Sequence, residues 1–215
     1  MNRPNVAVID YGVGNLLSVC RGLEHCGAKV MVTADPDTII SASRVVLPGV
    51  GAFADAMTEL CQLGLDNVLR EVGARGTPLM GICLGMQMLL DESEEFGKTA
   101  GLGLIPGQVI GLPAISTDGN SQKIPHIGWN SLVLPEDRNN RQGQLLQDLK
   151  SDDALYFVHS FMASPVNTGH RIADCIYGGH SISAVVARDN IVGCQFHPEK
   201  SGEVGLAVLR RFCDD

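Results

Sequence analysis

Short apolar runs alternate with amphipathic stretches along the first half of this chain. Each run has the length of a buried strand, and each is followed by a segment whose apolar positions recur at helical spacing. The predicted strands of this half are Asn5–Ile9, Lys29–Thr33, Arg44–Leu47 and Pro78–Ile82, and the predicted helices are 15–25, a short stretch from Asp35, 52–63, 65–72 and 84–90. This alternation predicts a mostly parallel sheet with helices on both faces, in an α/β fold.

The pattern changes in the second half, where strand signals follow one another without long helices. Short strands with Gly and Pro breaks are predicted between Leu104 and Val133, and a polar, loop-like stretch covers Pro135 to Gln144. The remaining predicted elements are strands at Ala154–Val158, Arg171–Ile176, Ser183–Ala187 and Ile191–Phe196 and a last helix at Gly202–Cys213. We expect these strands to extend the first sheet as mixed or antiparallel neighbours. No repeat or linker divides the chain, so residues 1–215 are predicted to form a single domain.

Composition narrows the class of protein. The chain has 215 residues, of which 45% are hydrophobic, and a formal net charge of −8 with scattered acidic residues. It lacks the basic cluster of nucleic-acid-binding proteins, the apolar run of about 20 residues that a membrane helix needs, and a secretory signal pattern. We therefore expect a cytoplasmic protein that binds neither nucleic acid nor membrane and uses no metal or cofactor.

One of the seven cysteines stands in a sequence context that suggests chemistry. The general expectation for these cysteines is a free, packed thiol, because no Cys-x-x-Cys pair occurs. Cys83, however, lies in Gly81-Ile82-Cys83-Leu84-Gly85, at the junction of a predicted strand and helix. Small residues two positions before and after a nucleophile allow a tight strand-to-helix turn, and a helix N-terminus favours the thiolate. An inert cysteine in a glycine-rich turn is the alternative.

A candidate base follows the strand that ends near Phe196. A cysteine nucleophile requires a histidine to take its proton, and that histidine requires an acid or amide that fixes its tautomer. His197-Pro198-Glu199 supplies both groups, since residues two apart in an extended segment point the same way. The alternative is a surface turn before the last helix. Among the other histidines, His159 is the best rival base, because it also follows a strand.

A third candidate segment, Pro48-Gly49-Val50-Gly51, follows the third predicted strand. Attack on an amide creates an oxyanion, which requires preorganised N–H donors. The Val50 or Gly51 amide is one candidate donor, because flanking glycines permit unusual backbone angles. The Leu84 amide, directly after the nucleophile, is the other. In isolation such a loop is more often a plain turn.

Together these segments resemble the class I (triad) glutamine amidotransferases. Within this family the chain is similar, over essentially its whole length, to the glutaminase subunits of imidazole glycerol phosphate synthase in histidine biosynthesis. The segments that carry the resemblance include the turn Gly81–Gly85 around Cys83, called the elbow below, extended to Gln87. The others are 9–16, 47–53, Pro125-His126-Ile127-Gly128-Trp129-Asn130, 156–160, and Gln195-Phe196-His197-Pro198-Glu199 with the residues up to Gly202.

The resemblance implies a flavodoxin-like fold and a catalytic triad of Cys83, His197 and Glu199. It further implies that the chain hydrolyses L-glutamine and passes ammonia to a (β/α)8-barrel cyclase, which makes imidazole glycerol phosphate and aminoimidazole carboxamide ribotide. The residues that it implies for glutamine binding are Gly51, Gln87, Glu95, Ser160 and Phe161, and those that it implies for the partner interface are Asn15, Lys123, Pro125, His126 and Trp129. Without the resemblance, the run that contains Glu95 reads as a solvated charged segment.

Three other interpretations stay open at this point. Gly12-x-Gly14 is an incomplete dinucleotide fingerprint that lacks its third glycine. The same cysteine elbow also occurs in peptidases and γ-glutamyl hydrolases. The chain could also be a paralogue that serves a different synthase, or a regulatory subunit without catalysis.

Overall fold

A computed structural model describes residues 3–134 and 143–214. Thirteen strands and six α-helices occur in this part of the chain. The strands are β1 Asn5–Ile9, β2 Lys29–Thr33, β3 Arg44–Gly49, β4 Leu79–Cys83, β5 Glu92–Ser93, β6 Thr99–Ala100, β7 Gly107–Gly111, β8 His126–Val133, β9 Ala154–His159, β10 Phe161–Pro165, β11 Arg171–Tyr177, β12 His180–Arg188 and β13 Ile191–Cys194. The helices are α1 Leu16–His25, α2 Pro36–Ser41, α3 Phe53–Gln62, α4 Leu65–Ala74, α5 Leu84–Met88 and α6 Gly202–Asp214.

Nine of these strands form one sheet, in the order β2-β1-β3-β4-β13-β12-β11-β8-β9. The strands from β2 to β13 run parallel to their neighbours, and β12, β11, β8 and β9 continue the sheet in antiparallel pairing. The predicted α/β architecture, with added antiparallel strands, is therefore confirmed. Because β13 lies parallel beside β4, the carboxyl ends of these two strands meet at one edge of the sheet.

The central strands are apolar on both faces, as expected for a sheet covered by helices on each side. Val6 and Val8 of β1 pack in a cluster with residues of α1 and α6. Ala7 and Ile9 point to the other face and pack with residues of α2, α3 and α4. The alternation along a single strand thus divides the core into two halves.

A second sheet of four strands, in the order β10-β7-β5-β6, was not predicted. Its strands β5 and β6 have two residues each, too short for a periodic pattern to be recognised. Without the family resemblance the polar segment 91–95 reads as solvated, but its acidic side chains have specific partners. Asp91 accepts from the amide of Gly107 at 2.9 Å, and Glu94 accepts from that of Gly111 at 2.7 Å.

Several predicted boundaries differ from the observed ones. The third strand extends through Pro48 to Gly49, and α5 ends at Met88 rather than at residue 90. Asn15 occupies the predicted cap position of α1, yet its side chain forms no capping hydrogen bond. The predicted loop at 135–142 lies outside the described residues, while Gly143 and Gln144 begin a short 3-10 helix. No helix in the described part of the chain combines the length and apolarity needed to cross a membrane.

Candidate active site

Cys83 occupies a strained turn between β4 and α5. Its backbone angles are φ 55° and ψ −111°, a region that residues with a side chain rarely adopt. Such strain costs on the order of 1–3 kcal/mol and persists only where the surrounding structure enforces it. The turn places Cys83 at the last residue of β4 and at the N-cap position of α5. Since α5 has only five residues, any electrostatic support for a thiolate comes from the N–H groups of its first turn.

The glycines on both sides of Cys83 permit the close approach that this turn requires. A Cβ atom on Gly81 would lie 2.6 Å from the carbonyl oxygen of Gly85. A Cβ atom on Gly85 would overlap the carbonyl oxygen of Leu47 in the neighbouring strand β3. The small residues at these two positions therefore have the steric role that was predicted from their spacing.

His197 and Glu199 form a buried pair directly after β13. Nδ1 of His197 lies 2.9 Å from Oε1 of Glu199, and the two side chains are 3% and 1% exposed. The backbone of His197 is fixed on both sides, because its N–H donates to the carbonyl of Tyr156 and its carbonyl accepts from the hydroxyl of Ser201. The carboxylate holds the ring with a proton on Nδ1 and leaves Nε2 as the atom that can exchange protons.

Burial opposes protonation of His197, but the proximity of Cys83 and the hydrogen bond to the Glu199 carboxylate outweigh it and raise the pKa of His197 to about 9. Even so, no hydrogen bond between Cys83 and His197 is formed in this state. Nε2 of His197 is buried without a hydrogen-bond partner among the described residues. The Cys83 sulfur instead lies 3.9 Å from the carbonyl oxygen of Val158 and 3.8 Å from Nε2 of Gln195. Hydrogen bonds between catalytic groups are often long or poorly aligned until the substrate binds, so this geometry is compatible with a Cys83–His197 pair.

A cleft of about 300 Å³ opens above Cys83, a size at the small end of the range for small-molecule sites. Cys83 and His197 line it, and Glu199 lies behind His197. The structure brings all other predicted oxyanion and glutamine-binding residues to the same cleft: Val50, Gly51, Leu84, Gln87, Glu95, Ser160 and Phe161. Val50 and Gly51 reach it because Gly49, at the end of β3, is the direct neighbour of Cys83 in the sheet.

Gln87 and Glu95 enter this cleft with hydrogen bonds that fix their positions. Nε2 of Gln87 donates to the carbonyl of Phe161 and to Oε1 of Gln195, each at 3.0 Å. Oε2 of Glu95 accepts from the N–H of Phe53 at 2.7 Å, at the beginning of α3. The residue before Phe53 is an alanine, which cannot cap the helix with its side chain. Glu95 therefore supplies the missing acceptor from a different part of the chain.

Two further residues of the cleft, Val158 and His159, were not predicted as site residues, although His159 was the rival base. His159 is excluded from that role here, because both of its ring nitrogens have partners. Nδ1 lies 2.9 Å from the carbonyl oxygen of Phe161, and Nε2 lies 3.1 Å from Nδ1 of His126. Burial lowers the pKa of His159 to about 4. A cross-strand pair of this kind depends on register, which no single sequence segment displays.

The residues predicted for a partner interface differ in their accessibility. Trp129 is 59% exposed on β8. Lys123 is exposed, Asn15 is partly buried and Pro125 lines the cleft. His126 is buried between the rings of Phe157 and Tyr177, at centroid distances of 5.0 and 4.0 Å. Its side chain therefore does not lie on the exposed face, and the prediction of a direct contact through it is corrected.

Comparison with known proteins identifies the family. The sequence model of the family "Glutamine amidotransferase class-I" matches residues 7–215. The chain therefore belongs to the class-I glutamine amidotransferase family. Among its relatives, the chain is 49% identical to imidazole glycerol phosphate synthase subunit HisH 1 of Legionella pneumophila (strain Lens), over 97% of this chain and 98% of the relative. It is 45% identical to the HisH subunit of Geobacillus thermodenitrificans, over 96% and 94% of the two chains.

Solved structures agree on the fold at much lower sequence identity. The structure of PurLQS from Thermotoga maritima aligns with a TM-score of 0.72 and 18% identity, over 98% of each chain. The glutaminase domain of CTPS from Trypanosoma brucei aligns with a TM-score of 0.61 and 15% identity, over 97% of this chain and 93% of that one. At such identities the likeness concerns the fold alone.

Proposed function

We propose that this chain is the glutaminase subunit of an imidazole glycerol phosphate synthase. It hydrolyses L-glutamine to glutamate and ammonia and passes the ammonia to a (β/α)8-barrel cyclase subunit. The observation that carries the proposal is the arrangement of Cys83 on a strained elbow in one cleft with His197, which is bonded to Glu199. The identity to named synthase subunits over nearly the whole chain supports the choice of pathway.

In the proposed reaction, Nε2 of His197 takes the proton of the Cys83 thiol, and the thiolate attacks the carboxamide carbon of glutamine. The Leu84 amide and the Val50 or Gly51 amide bind the oxyanion. The imidazolium of His197 then gives its proton to the nitrogen, the C–N bond breaks, and ammonia leaves a glutamyl thioester. Water, deprotonated by His197, attacks the thioester carbon, the C–S bond breaks to release glutamate, and His197 returns the proton to the Cys83 sulfur. The Glu199 carboxylate on Nδ1 supports this cycle, because it stabilises the imidazolium until that ring protonates the leaving group.

Glutamine recognition is proposed to involve both sides of the cleft. The Glu95 carboxylate has one oxygen bonded to Phe53 and can offer the other to the α-ammonium group of glutamine. Backbone groups at Gly51, Ser160 and Phe161 and the side chain of Gln87 complete the site. Phe161 would serve through its backbone groups, whose recognition of glutamine does not depend on the side chain.

The partner is proposed to bind the face that carries Trp129, together with Asn15, Lys123 and Pro125. An exposed tryptophan is a frequent anchor of protein interfaces. Ammonia that escapes into water is lost by protonation and dilution, so a tight complex at this face serves the reaction. The cyclase would hold the nucleotide substrate, and this chain would bind glutamine only.

One experiment tests the enzyme and its partner together. The chain is co-purified with a barrel cyclase, and glutamate release is measured for the wild type, Cys83→Ala and Cys61→Ala complexes. Cys61 is an exposed thiol outside the cleft and serves as the matched control. We expect Cys83→Ala to abolish turnover and Cys61→Ala to retain it. Glutaminase activity in the Cys83→Ala complex would refute the mechanism, and peptide hydrolysis without a partner would favour a peptidase instead.

A further inference from the structure

Two buried histidines that the proposed mechanism does not use lie between the cleft and β8. His126 of β8 and His159 of β9 are direct partners in the antiparallel register, and their rings are 3.1 Å apart from Nδ1 to Nε2. His126 is stacked between two aromatic rings, and His159 lines the cleft. Two imidazoles in contact cannot both be charged without strong repulsion, so the donors and acceptors around them decide their state.

The hydrogen bonds around the pair permit only one arrangement of protons. The carbonyl of Phe161 accepts only, so Nδ1 of His159 carries a proton and Nε2 of this neutral ring is an acceptor. Nδ1 of His126 must then donate to it, which leaves Nε2 of His126 as an acceptor. That atom faces the Nδ2 amide of Asn130 at 3.4 Å, a group that only donates. Both rings are therefore neutral Nδ1–H tautomers, and burial, which lowers the pKa of each, acts in the same direction.

The His126–His159 pair is hydrogen-bonded to a backbone carbonyl in the wall of the cleft. The carbonyl oxygen of Phe161 accepts from His159 at 2.9 Å and from Nε2 of Gln87 at 3.0 Å, so both of its lone pairs are used. Gln87 also donates to Gln195, which in turn contacts the Cys83 sulfur. At the other end, Asn130 belongs to β8, the strand that carries Trp129, and its Nδ2 also donates to the carbonyl of Ile176 at 2.9 Å.

We infer that His126 and His159 are positioning residues for glutamine, which hold the Phe161 carbonyl and thereby Gln87 in place and tie this wall of the cleft to β8. The inference rests on the proposed function, because it assigns the pair a task in glutamine binding. It goes beyond that function, since neither ring contacts the reacting atoms. Loss of the link to Phe161 should weaken glutamine binding and leave the chemical step at Cys83 largely intact.

Two substitutions of one residue separate the two links of His159. An asparagine amide can replace Nδ1, so His159→Asn keeps the bond to Phe161 and gives up the bond to His126. A glutamine amide reaches the position of Nε2, so His159→Gln keeps the contact with His126 and gives up Phe161. His180→Asn is the matched control, because His180 bonds the carbonyl of Ile115 and does not line the cleft.

The assay is steady-state glutaminase kinetics of each variant in complex with the cyclase. For His159→Gln we expect KM for glutamine to rise about tenfold, the effect of one lost hydrogen bond, with kcat within about twofold of the wild type. For His159→Asn, which keeps the bond to Phe161 and loses the support of His126, we expect a smaller rise in KM of about threefold. For His180→Asn we expect KM within about twofold of the wild type. Equal KM effects in the two His159 variants, or a fall of kcat in place of the rise in KM, would overturn the inference.

A second measurement on the wild-type complex requires no turnover. Nitrogen-15 NMR of the imidazole rings should show His126 and His159 as neutral Nδ1–H tautomers. A cationic ring or an Nε2–H tautomer at either position would contradict the proposed arrangement of protons on the two histidines. If the wild-type complex lacked glutaminase activity, the proposed function would fail, whereas the NMR result would still decide the state of the pair.

Discussion

Replacement of Glu199 by glutamine should change how the stability of the protein depends on pH. The folded-state pKa of His197 is about 9, compared with an ordinary value of 6.5. At roughly 1.4 kcal/mol for each pKa unit, this difference corresponds to about 3 kcal/mol of folding free energy. Cys83 and Glu199 both contribute to the raised pKa, so the carboxylate accounts for part of this free energy, on the order of 1 kcal/mol.

The direction of the effect follows from the raised pKa. Because the folded protein binds this proton more tightly than the unfolded chain, the contribution is complete below about pH 6.5 and disappears as the pH rises through about 9. The wild type should therefore gain on the order of 1 kcal/mol over Glu199→Gln when the pH is lowered from 9.5 to 6. Loss of the hydrogen bond itself, or relief from burying the carboxylate, changes the free energy of unfolding by the same amount at pH 6 and at pH 9.5.

The assay is urea unfolding of both proteins at several pH values from 6 to 9.5, with the free energy of unfolding extrapolated to water at each pH. Glu203→Gln is the matched control, since it removes an exposed carboxylate from the first turn of α6. Its difference from the wild type should be nearly constant over the range. If the difference for Glu199→Gln were also constant, or grew towards pH 9.5, then the carboxylate would not raise the pKa of His197.

Two further predictions concern the elbow and the exposed face. Gly85→Ala should lower the free energy of unfolding by about 3 kcal/mol, because its Cβ would overlap a backbone carbonyl of β3. Gly111→Ala is the control, because its Cβ would meet only a carboxylate at 3.7 Å. Its effect in the same urea titration should be much smaller. Trp129→Ala should weaken cyclase binding by at least about tenfold in calorimetry, with little change in thermal stability. Val166→Ala, which removes another exposed apolar side chain, should leave the affinity unchanged. Full affinity of Trp129→Ala would argue against the proposed interface.

The sequence predicted the parallel half of the fold well because its strands are buried on both faces. Such strands appear as continuous apolar runs, and glycine and proline mark where they end. The same local logic identified Cys83 and the pair of His197 and Glu199, since each lies directly after a predicted strand. Their meeting in space could be inferred because parallel strands end at a common edge.

The features that could not be predicted from the sequence depend on contacts between distant segments of the chain. The strands β5 and β6 are too short for any periodicity, and their acidic residues resemble a solvated surface run. Glu95 acquires its place from the N–H of Phe53, 42 positions earlier in the chain. The stack around His126 similarly requires the register of β8 against β9, so its burial could not be read from the polar character of the residue.

The division of the strands between two sheets has a consequence for how the cleft can change. Cys83, His197 and Glu199 all follow strands of the nine-stranded sheet, whereas Phe161 and Glu95 belong to or adjoin strands of the four-stranded sheet. Two of the recognition groups, Glu95 and Phe161, are therefore carried on a different sheet from the bond-breaking groups, whereas Gly51 and Gln87 follow strands of the nine-stranded sheet. Substitutions in the smaller sheet could alter which amide fits while the machinery that cleaves it stays unchanged, which makes that sheet the natural place to redesign specificity.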